Sequence, residues 1–126
     1  MNQTPATIMV IGNDSHFCYL MRRYVKKSAQ RTVFAYLGED ALALAQHEKP
    51  AAIVLEVDLP GTQGWDVLRA LKADPATCHI PVILCSWLDE KERSKEEGAE
   101  AYLREPILYE DFLTTLTDVG IPLPGG

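Results

Sequence analysis

Short apolar runs of strand length alternate along this chain with segments of helical periodicity, and this alternation most restricts the folds it can adopt. The runs predict five strands, β1 to β5, at residues 7–11, 32–37, 52–57, 81–86 and 101–103. Nearly continuous hydrophobicity is typical of parallel strands that are covered on both faces. We therefore predict a doubly wound α/β fold around a five-stranded parallel sheet in the order 2-1-3-4-5.

The segments between the strands predict five helices. Helices α1 to α5 are predicted around residues 17–25, 39–48, 65–73, 89–97 and 109–119. Asp14 or Ser15 is the candidate N-cap of α1, whose apolar residues recur at helical spacing. Leu42, Leu44 and Ala45 are the predicted inward face of α2. Each helix except α4 thus has an apolar stripe to bury against the sheet.

The predicted helix α4 is unusual because its sequence, DEKERSKEE, has no apolar side chain. Most helical stability in proteins comes from packing an apolar face, so we expect α4 to be short, frayed or partly disordered. The alternative is a solvated helix in which Asp89 and Arg93 attract each other while Glu92 and Glu96 repel.

Length and charge restrict the remaining function classes. The 126 residues suit one domain, predicted at 1–119, with 120–126 as a tail or the start of a linker. A net charge of −6 without a basic stripe predicts no direct nucleic-acid binding. No apolar run is long enough to span a bilayer, so we predict no membrane partner.

The cysteines and histidines show no metal-ligand spacing. Three cysteines without a CxxC pair fit reduced thiols and a cytoplasmic location, and we expect each to be a small buried hydrophobe. The three histidines are expected at the surface. These residues are Cys18, Cys78, Cys85, His16, His47 and His79.

Polar residues stand where four of the predicted strands end. In a doubly wound sheet, ligands bind outside the carboxyl ends of the strands, so these residues form the candidate site. They are Gly12, Asn13 and Asp14 after β1, Glu56 and Asp58 in and after β3, Ser86 at the end of β4, and Glu105 after β5.

Two stretches of the sequence resemble response-regulator receiver domains of the CheY-like family. Residues 50–86, PAAIVLEVDLPGTQGWDVLRALKADPATCHIPVILCS, are similar to the segment around the family's phosphoacceptor. Residues 98–106, GAEAYLREP, are similar to its Gly-Ala-x-x-Tyr-x-x-Lys-Pro signature. The resemblance implies the flavodoxin-like receiver fold and a role in bacterial two-component signal transduction.

The same resemblance implies that the phosphorylation site is degenerate. The family's acidic pair falls on Gly12 and Asn13, its phosphoacceptor Asp on Glu56, and its Lys on Glu105, whereas its hydroxyl residue is retained as Ser86. A carboxylate can approach a phosphoryl group only where nearby positive charge offsets the repulsion. We therefore expect a pseudo-receiver that is not an enzyme and has no catalytic residue, metal or cofactor. The residue after Glu105 is Pro, which keeps the option of the family's cis peptide bond.

Two interpretations of Glu56 follow. In the first it mimics a phosphorylated Asp; in the second, which we favour, the pocket has decayed and Glu56 bonds to neighbours such as Ser86 or Asn13. Mimicry needs a cationic partner, and Glu105 removes the usual one. Burial and like charge predict that at least one of Glu56 and Glu105 has a raised pKa.

The resemblance also identifies a switch surface formed by α4, β5 and α5. Ser86 and Tyr102 match the hydroxyl and the aromatic residue through which the family transmits phosphorylation. Trp87 stands where a small residue is usual, and the interval to Tyr102 is shorter than usual by about one helical turn. We predict that Trp87 fills space in the core; the alternative is an exposed docking residue.

The leading hypothesis is a phosphorylation-independent module that binds a protein partner or an attached output domain, with homodimerisation through the α4, β5 and α5 face as one form. The first alternative is a working phosphoacceptor with an unconventional site. The second is a small-molecule or flavin sensor on the same framework, although the GNDSH loop after β1 lacks a phosphate cradle.

Overall fold

A computed structural model describes residues 4–36, 38–58 and 64–123 of the chain. Five strands form its centre, and each lies within two residues of the predicted bounds. Their bounds are Thr7–Ile11 (β1), Arg31–Ala35 (β2), Ala52–Glu56 (β3), Val82–Ser86 (β4) and Ala101–Arg104 (β5). The Pro-Gly pair at residues 60 and 61 predicts a turn after β3, and this segment lies outside the described residues.

Five helices connect or follow the strands. Their bounds are Ser15–Lys27 (α1), Gly38–Glu48 (α2), Gly64–Ala73 (α3), Lys91–Glu96 (α4) and Tyr109–Asp118 (α5). The predicted cap of α1 is confirmed, because the carboxylate of Asp14 accepts a hydrogen bond from the Phe17 amide at 2.8 Å.

All strand pairs are parallel, and the sheet order is β2-β1-β3-β4-β5, as predicted. Strands β3 and β4 are buried along their whole length, which explains their nearly continuous hydrophobicity. Because the strands are parallel, their carboxyl ends meet at one edge of the sheet, and the candidate site lies there.

Each face of the sheet carries its own hydrophobic layer. Alternate strand residues such as Met9 and Leu55 pack with α2 and α3, whereas Val10 and Val54 pack with α1 and α5. The predicted inward face of α2 packs against the first of these layers: Ala45 is buried, and Leu42 and Leu44 are half-buried against it. Ala41, which was not predicted, is also buried. The small alanines allow α2 to lie close to the sheet.

Helix α4 is short, as predicted, with six residues and one buried side chain, Ser94. Polar contacts attach it to the rest of the domain. The Arg93 guanidinium lies over the buried ring of Trp65 at 4.1 Å, and Glu97, just after the helix, forms an ion pair with Arg69 at 2.8 Å. The backbone then turns at Gly98, whose φ of 97° is unfavourable for other residues.

Packing continues after α5. Ile121 is buried in the layer that contains α1 and α5, and the Gln30 side chain donates a hydrogen bond to the carbonyl of Pro122 at 2.9 Å. Residues 121–123 therefore lie against the domain.

The cysteines and histidines are distributed over core and surface. Cys18 and Cys85 are buried as expected, whereas the expectation of burial is wrong for Cys78, which is exposed. His16, His47 and His79 are exposed, as expected. In the described residues, no helix has the length and hydrophobicity needed to cross a membrane.

The contact between Arg93 and Trp65 predicts a measurable loss of stability in Arg93→Ala. We expect the free energy of unfolding to fall by about 1 kcal/mol, because a guanidinium over a largely desolvated ring is replaced by water. Urea unfolding checks this, with Lys95→Ala on the same helix as the control. Equal stabilities for the two variants would contradict the role of the contact.

Candidate functional site

The end of β1 has lost the space for an acidic side chain. Gly12 is buried, and a Cβ atom built on it would lie 2.7 Å from two ring atoms of Phe17. The ring of Phe17, only 1% exposed, therefore occupies the space that an acidic side chain at position 12 would need. This is the position that matches the first residue of the acidic pair in receiver domains. From the sequence, Phe17 belongs to the apolar stripe of α1. Glycine at position 12 was the signal that the ring of Phe17 lies against the end of β1.

Asn13 and Asp14 are exposed, and the side chain of each forms a hydrogen bond within the fold. The Asn13 amide donates to the carbonyl of Tyr36 at 3.2 Å. The Asp14 carboxylate accepts the bond that caps α1. Both side chains thus hold the loop between β1 and α1 in place.

Glu56 and Glu105 form a buried carboxyl pair at the centre of the site. Their side chains are within hydrogen-bonding reach of each other, and the residues are only 3% and 8% exposed. Each has one buried oxygen without a hydrogen-bond partner among the described residues, Oε1 of Glu56 and Oε2 of Glu105. The expected bond from Glu56 to Ser86 or Asn13 is not present in the described residues.

Burial and acidic neighbours raise the pKa values of this pair, as predicted. Desolvation and then the charge of Glu105 raise the pKa of Glu56 to about 7, although the backbone amide of Asp14 partly offsets the shift. Desolvation and the charges of Asp14 and Asp58 raise the pKa of Glu105 to about 7. A proton on one carboxyl group supplies the missing donor and removes a buried charge, so the pair titrates as a unit.

Ser86 completes the edge of the site but forms a local bond. It is 1% exposed, and its hydroxyl accepts a hydrogen bond from the amide of Leu88 at 3.1 Å. The carbonyl of Ser86 accepts from the amide of Glu105 at 2.8 Å, which places the start of the β5–α5 loop beside β4. The Glu105–Pro106 peptide bond is cis.

A cation does stand one residue before Glu105, yet it points away from the pair. Arg104 is exposed, and its guanidinium donates to the carbonyl of Trp87 at 3.3 Å. Adjacent residues at the end of a strand project to opposite faces, so Arg104 cannot take the place of the family's lysine. The orientation of Arg104 was not predicted from the sequence, although its position in the alternation of β5 was the available signal.

The site does not fit the divalent cation that receiver domains hold. A hard cation needs several converging oxygen ligands. Here Gly12 offers no side chain, Asn13 bonds to Tyr36, and Asp14 caps α1. Among the described residues, no group of three or more His, Cys, Asp or Glu side chains is arranged to hold a metal ion.

The switch surface differs from the prediction at Trp87. Trp87 is 52% exposed, so the prediction that it fills the core is wrong, and Leu88 beside it is 63% exposed. Tyr102 fixes this loop instead: its hydroxyl donates to the carbonyl of Leu88 and accepts from the amide of Glu90 at 3.0 Å. Because these hydrogen bonds to Tyr102 hold the loop, the ring of Trp87 is not needed to fill the interior and stays exposed to solvent.

The carboxyl pair predicts that stability falls as pH rises. The pKa values are about 7 in the folded protein and 4.5 ordinarily, so between these values the folded state binds more protons than the unfolded state. We expect the free energy of unfolding to decrease from pH 5 to pH 8 by about 2 kcal/mol, measured by urea unfolding. Glu105→Gln should flatten this profile, whereas Glu110→Gln, at an exposed position, should keep it. A stability that is constant or rises over this range would exclude the shared proton.

The contact between Gly12 and Phe17 predicts that Gly12→Ala is destabilising. The added methyl group overlaps the ring, and we expect a loss of about 1–3 kcal/mol in the free energy of unfolding. In a Phe17→Leu background the same substitution should cost less, because the ring atoms that the methyl group meets are gone. A double-mutant cycle by urea unfolding measures the difference. Additive effects would show that the ring does not close this space.

The fold is close to those of solved receiver domains. A putative response regulator from Chloroflexus aurantiacus matches with a TM-score of 0.87 and 21% identity, covering 92% of this chain and 98% of that one. The chemotaxis response regulator CheY4 of Vibrio cholerae matches with a TM-score of 0.84 and 22% identity, covering 92% and 99%. At these identities the similarity shows the fold.

Sequence comparisons connect the chain to curated regulators and to a family. It is 31% identical over 117 residues to Protein PilH of Pseudomonas aeruginosa, covering 90% of this chain and 97% of PilH. It is 30% identical over 115 residues to the polar-differentiation response regulator DivK of Brucella anthropi, covering 89% and 94%. The family profile described as response regulator receiver domain matches residues 8–117. The chain therefore belongs to the response regulator receiver family of bacterial two-component signalling.

Proposed function

We propose that this receiver domain acts without phosphorylation, as a protein-binding regulatory module rather than an enzyme. The observation that supports this most directly is the burial of Glu105 beside Glu56. A position that provides a cation to the phosphoryl group in the family provides a second carboxyl group here.

The charge at Glu105 opposes phosphoryl transfer to Glu56. A phosphoryl group brings about two negative charges at neutral pH. Placed against a buried carboxylate a few ångströms away, these charges repel by an amount on the order of several kcal/mol. At acidic pH the shared proton reduces this repulsion, but it also hydrogen-bonds the remaining carboxylate and makes it a weaker nucleophile.

The packing at Gly12 opposes phosphoryl transfer for an independent, steric reason. The Phe17 ring fills the position of the first metal ligand, and Asn13 and Asp14 are engaged elsewhere. Without a bound divalent cation, no side chain among the described residues of this pocket neutralises the equatorial oxygens in the transition state. The charge of Glu105 and the packing at Gly12 thus both oppose phosphoryl transfer.

The same pair speaks against permanent phosphomimicry by Glu56. A mimic has to present a negative charge to a cation or a hydroxyl, as a phosphorylated residue does. The Ser86 hydroxyl accepts from the amide of Leu88 and makes no hydrogen bond to Glu56 among the described residues, and the groups that shift the pKa of Glu56 by charge are all acids. We infer a decayed pocket in which Glu56 is neutralised by sharing a proton.

The exposed loop after β4 supports binding of a protein. Trp87 and Leu88 together present a large apolar area next to Ser86, and tryptophan is enriched at the centres of interfaces. The partner is a separate protein or an attached output domain, or a second copy through the α4, β5 and α5 face. Free cysteines and membership of a bacterial two-component family favour action in the cytoplasm.

Treatment with a small phosphodonor tests this function. After incubation with acetyl phosphate and magnesium, we expect no mass gain in the intact protein by mass spectrometry. An active receiver domain in the same tube serves as the control for the reagent. A gain of one phosphoryl group that disappears in Glu56→Ala would overturn the proposal, and Glu110→Ala serves as the matched control for that variant.

A further inference from the structure

The solvent-facing side of α1 forms a continuous basic surface. Its exposed residues recur at helical spacing and lie on one stripe, opposite the buried residues Phe17, Met21 and Val25. We call this stripe the α1 surface; it consists of Ser15, His16, Tyr19, Arg22, Arg23, Lys26 and Lys27.

The charge of the α1 surface is opposite to that of the whole chain. Its four cations and the adjacent exposed Arg31 are five of the 12 Lys and Arg residues, and no Asp or Glu occurs between Asp14 and Glu39. The net charge of the protein is −6. The expectation that the chain has no basic stripe is therefore wrong for this face. The cations occur in the sequence as two separate pairs, and the helical period brings both pairs to one side of α1.

The arginines of the α1 surface are held by aromatic side chains and not by carboxylates. Arg22 donates to the Tyr36 hydroxyl at 3.1 Å and lies over the Phe34 ring at 4.6 Å. Arg23 donates to the Tyr19 hydroxyl at 3.0 Å. The ion pairs found in the described residues involve Arg69 and Lys72, so no cation of this surface has a carboxylate within 4.0 Å there. The arginines are oriented, and their charge is not neutralised.

An apolar groove continues this surface across the edge of the sheet. Among the described strands, β2 lies at the edge of the sheet and pairs with β1 alone. Between β2 and α2 lies an open groove of about 560 Å³, lined mainly by apolar groups such as those of Phe34, Tyr36 and Leu44, with Asp40 and His47 also in its wall. The rings of Phe34 and Tyr36 are stacked 5.6 Å apart and join the groove to the arginines. Charged and apolar contacts are thus available side by side.

We propose that the α1 surface binds the acidic face of a protein partner, with an apolar side chain of that partner in the groove beside Tyr36. This inference deepens the proposed function and rests on it, because it takes the domain to work by binding a protein. Arginine and tyrosine are enriched where interfaces carry their binding energy, and guanidinium groups match carboxylates in shape.

A protein fits this surface better than a nucleic acid or a membrane. Both of those are extended polyanions, and they would also meet the field of the acidic remainder of the chain. A compact partner that touches only this face lies within about a Debye length, ~8 Å, of the cations. The apolar groove adds contacts that phosphate backbones do not use.

A second copy of this chain fits less well. The acidic region around α4 would have to supply the carboxylates, yet Glu97 and Glu100 already form ion pairs with Arg69 and Lys72. A contact between α1 of one copy and α4 of the next joins two different surfaces, so it closes into a dimer only if both such contacts form at once, and otherwise it gives rings or open chains.

The test is an NMR titration of the full chain with a short synthetic peptide rich in glutamate with one central leucine. We expect the amide resonances of α1 and of residues 34–36 to shift, and the shifts to weaken as salt increases. The variant Arg22→Glu/Arg23→Glu/Lys26→Glu should bind the peptide at least about tenfold more weakly. The control is Lys49→Glu/Lys91→Glu/Lys95→Glu, which makes the same change in net charge at exposed positions elsewhere and should bind like the unaltered protein.

Several results would overturn the proposal. These are shifts outside α1 and β2, equal weakening in both variants, or tighter binding to duplex DNA or to phosphatidylserine vesicles than to the peptide. Concentration-dependent self-association in sedimentation that is lost in the α1 variant would assign the surface to a second copy. Phosphoryl uptake in the mass experiment with peptide binding intact would overturn the proposed function alone. Lack of peptide binding without uptake would overturn this inference alone.

Discussion

The parallel arrangement of the sheet forces Glu56 and Glu105 together. Strands β3 and β5 flank β4 and run in the same direction, so residues at their carboxyl ends face a common space. Helices cover both faces of the sheet, and water is largely excluded there. Two acids in such a space must share a proton or recruit a cation, and the neighbours that affect their titration by charge are also acidic. The need to place one proton or one cation between Glu56 and Glu105 therefore decides what can bind or react at the carboxyl ends of the strands.

Two independent features support the proposal that this pocket does not accept a phosphoryl group. One is electrostatic, the acid at Glu105; the other is steric, the Phe17 ring beside Gly12. Restoring a lysine alone would leave the metal position filled, and restoring an acid at position 12 alone would add a further negative charge against the ring. The surface around this pocket retains features suited to contact, with Trp87 on one side and the basic α1 surface on another.

Much of the fold was predictable because hydrophobic periodicity is a local signal. Strands, order and the residues gathered at the sheet edge follow from apolar runs and from the geometry of parallel sheets. The roles of Phe17 and Arg104 did not follow, because they depend on where a side chain points after packing. Trp87 was wrongly predicted for a similar reason: Tyr102 holds the loop by hydrogen bonds to Leu88 and Glu90, which no pattern of hydrophobicity records.

The way α4 is attached gives this domain a segment that can be remodelled separately. It contributes one small buried side chain to the interior, and it is otherwise held by a guanidinium on a ring and by an ion pair just after its end. Detaching it would expose the ring of Trp65 but would leave the strands and the other helices in place, so its opening requires less free energy than global unfolding. A partner that competes for Arg93 or Glu97 could therefore reshape this side of the molecule while the sheet and both hydrophobic layers stay intact.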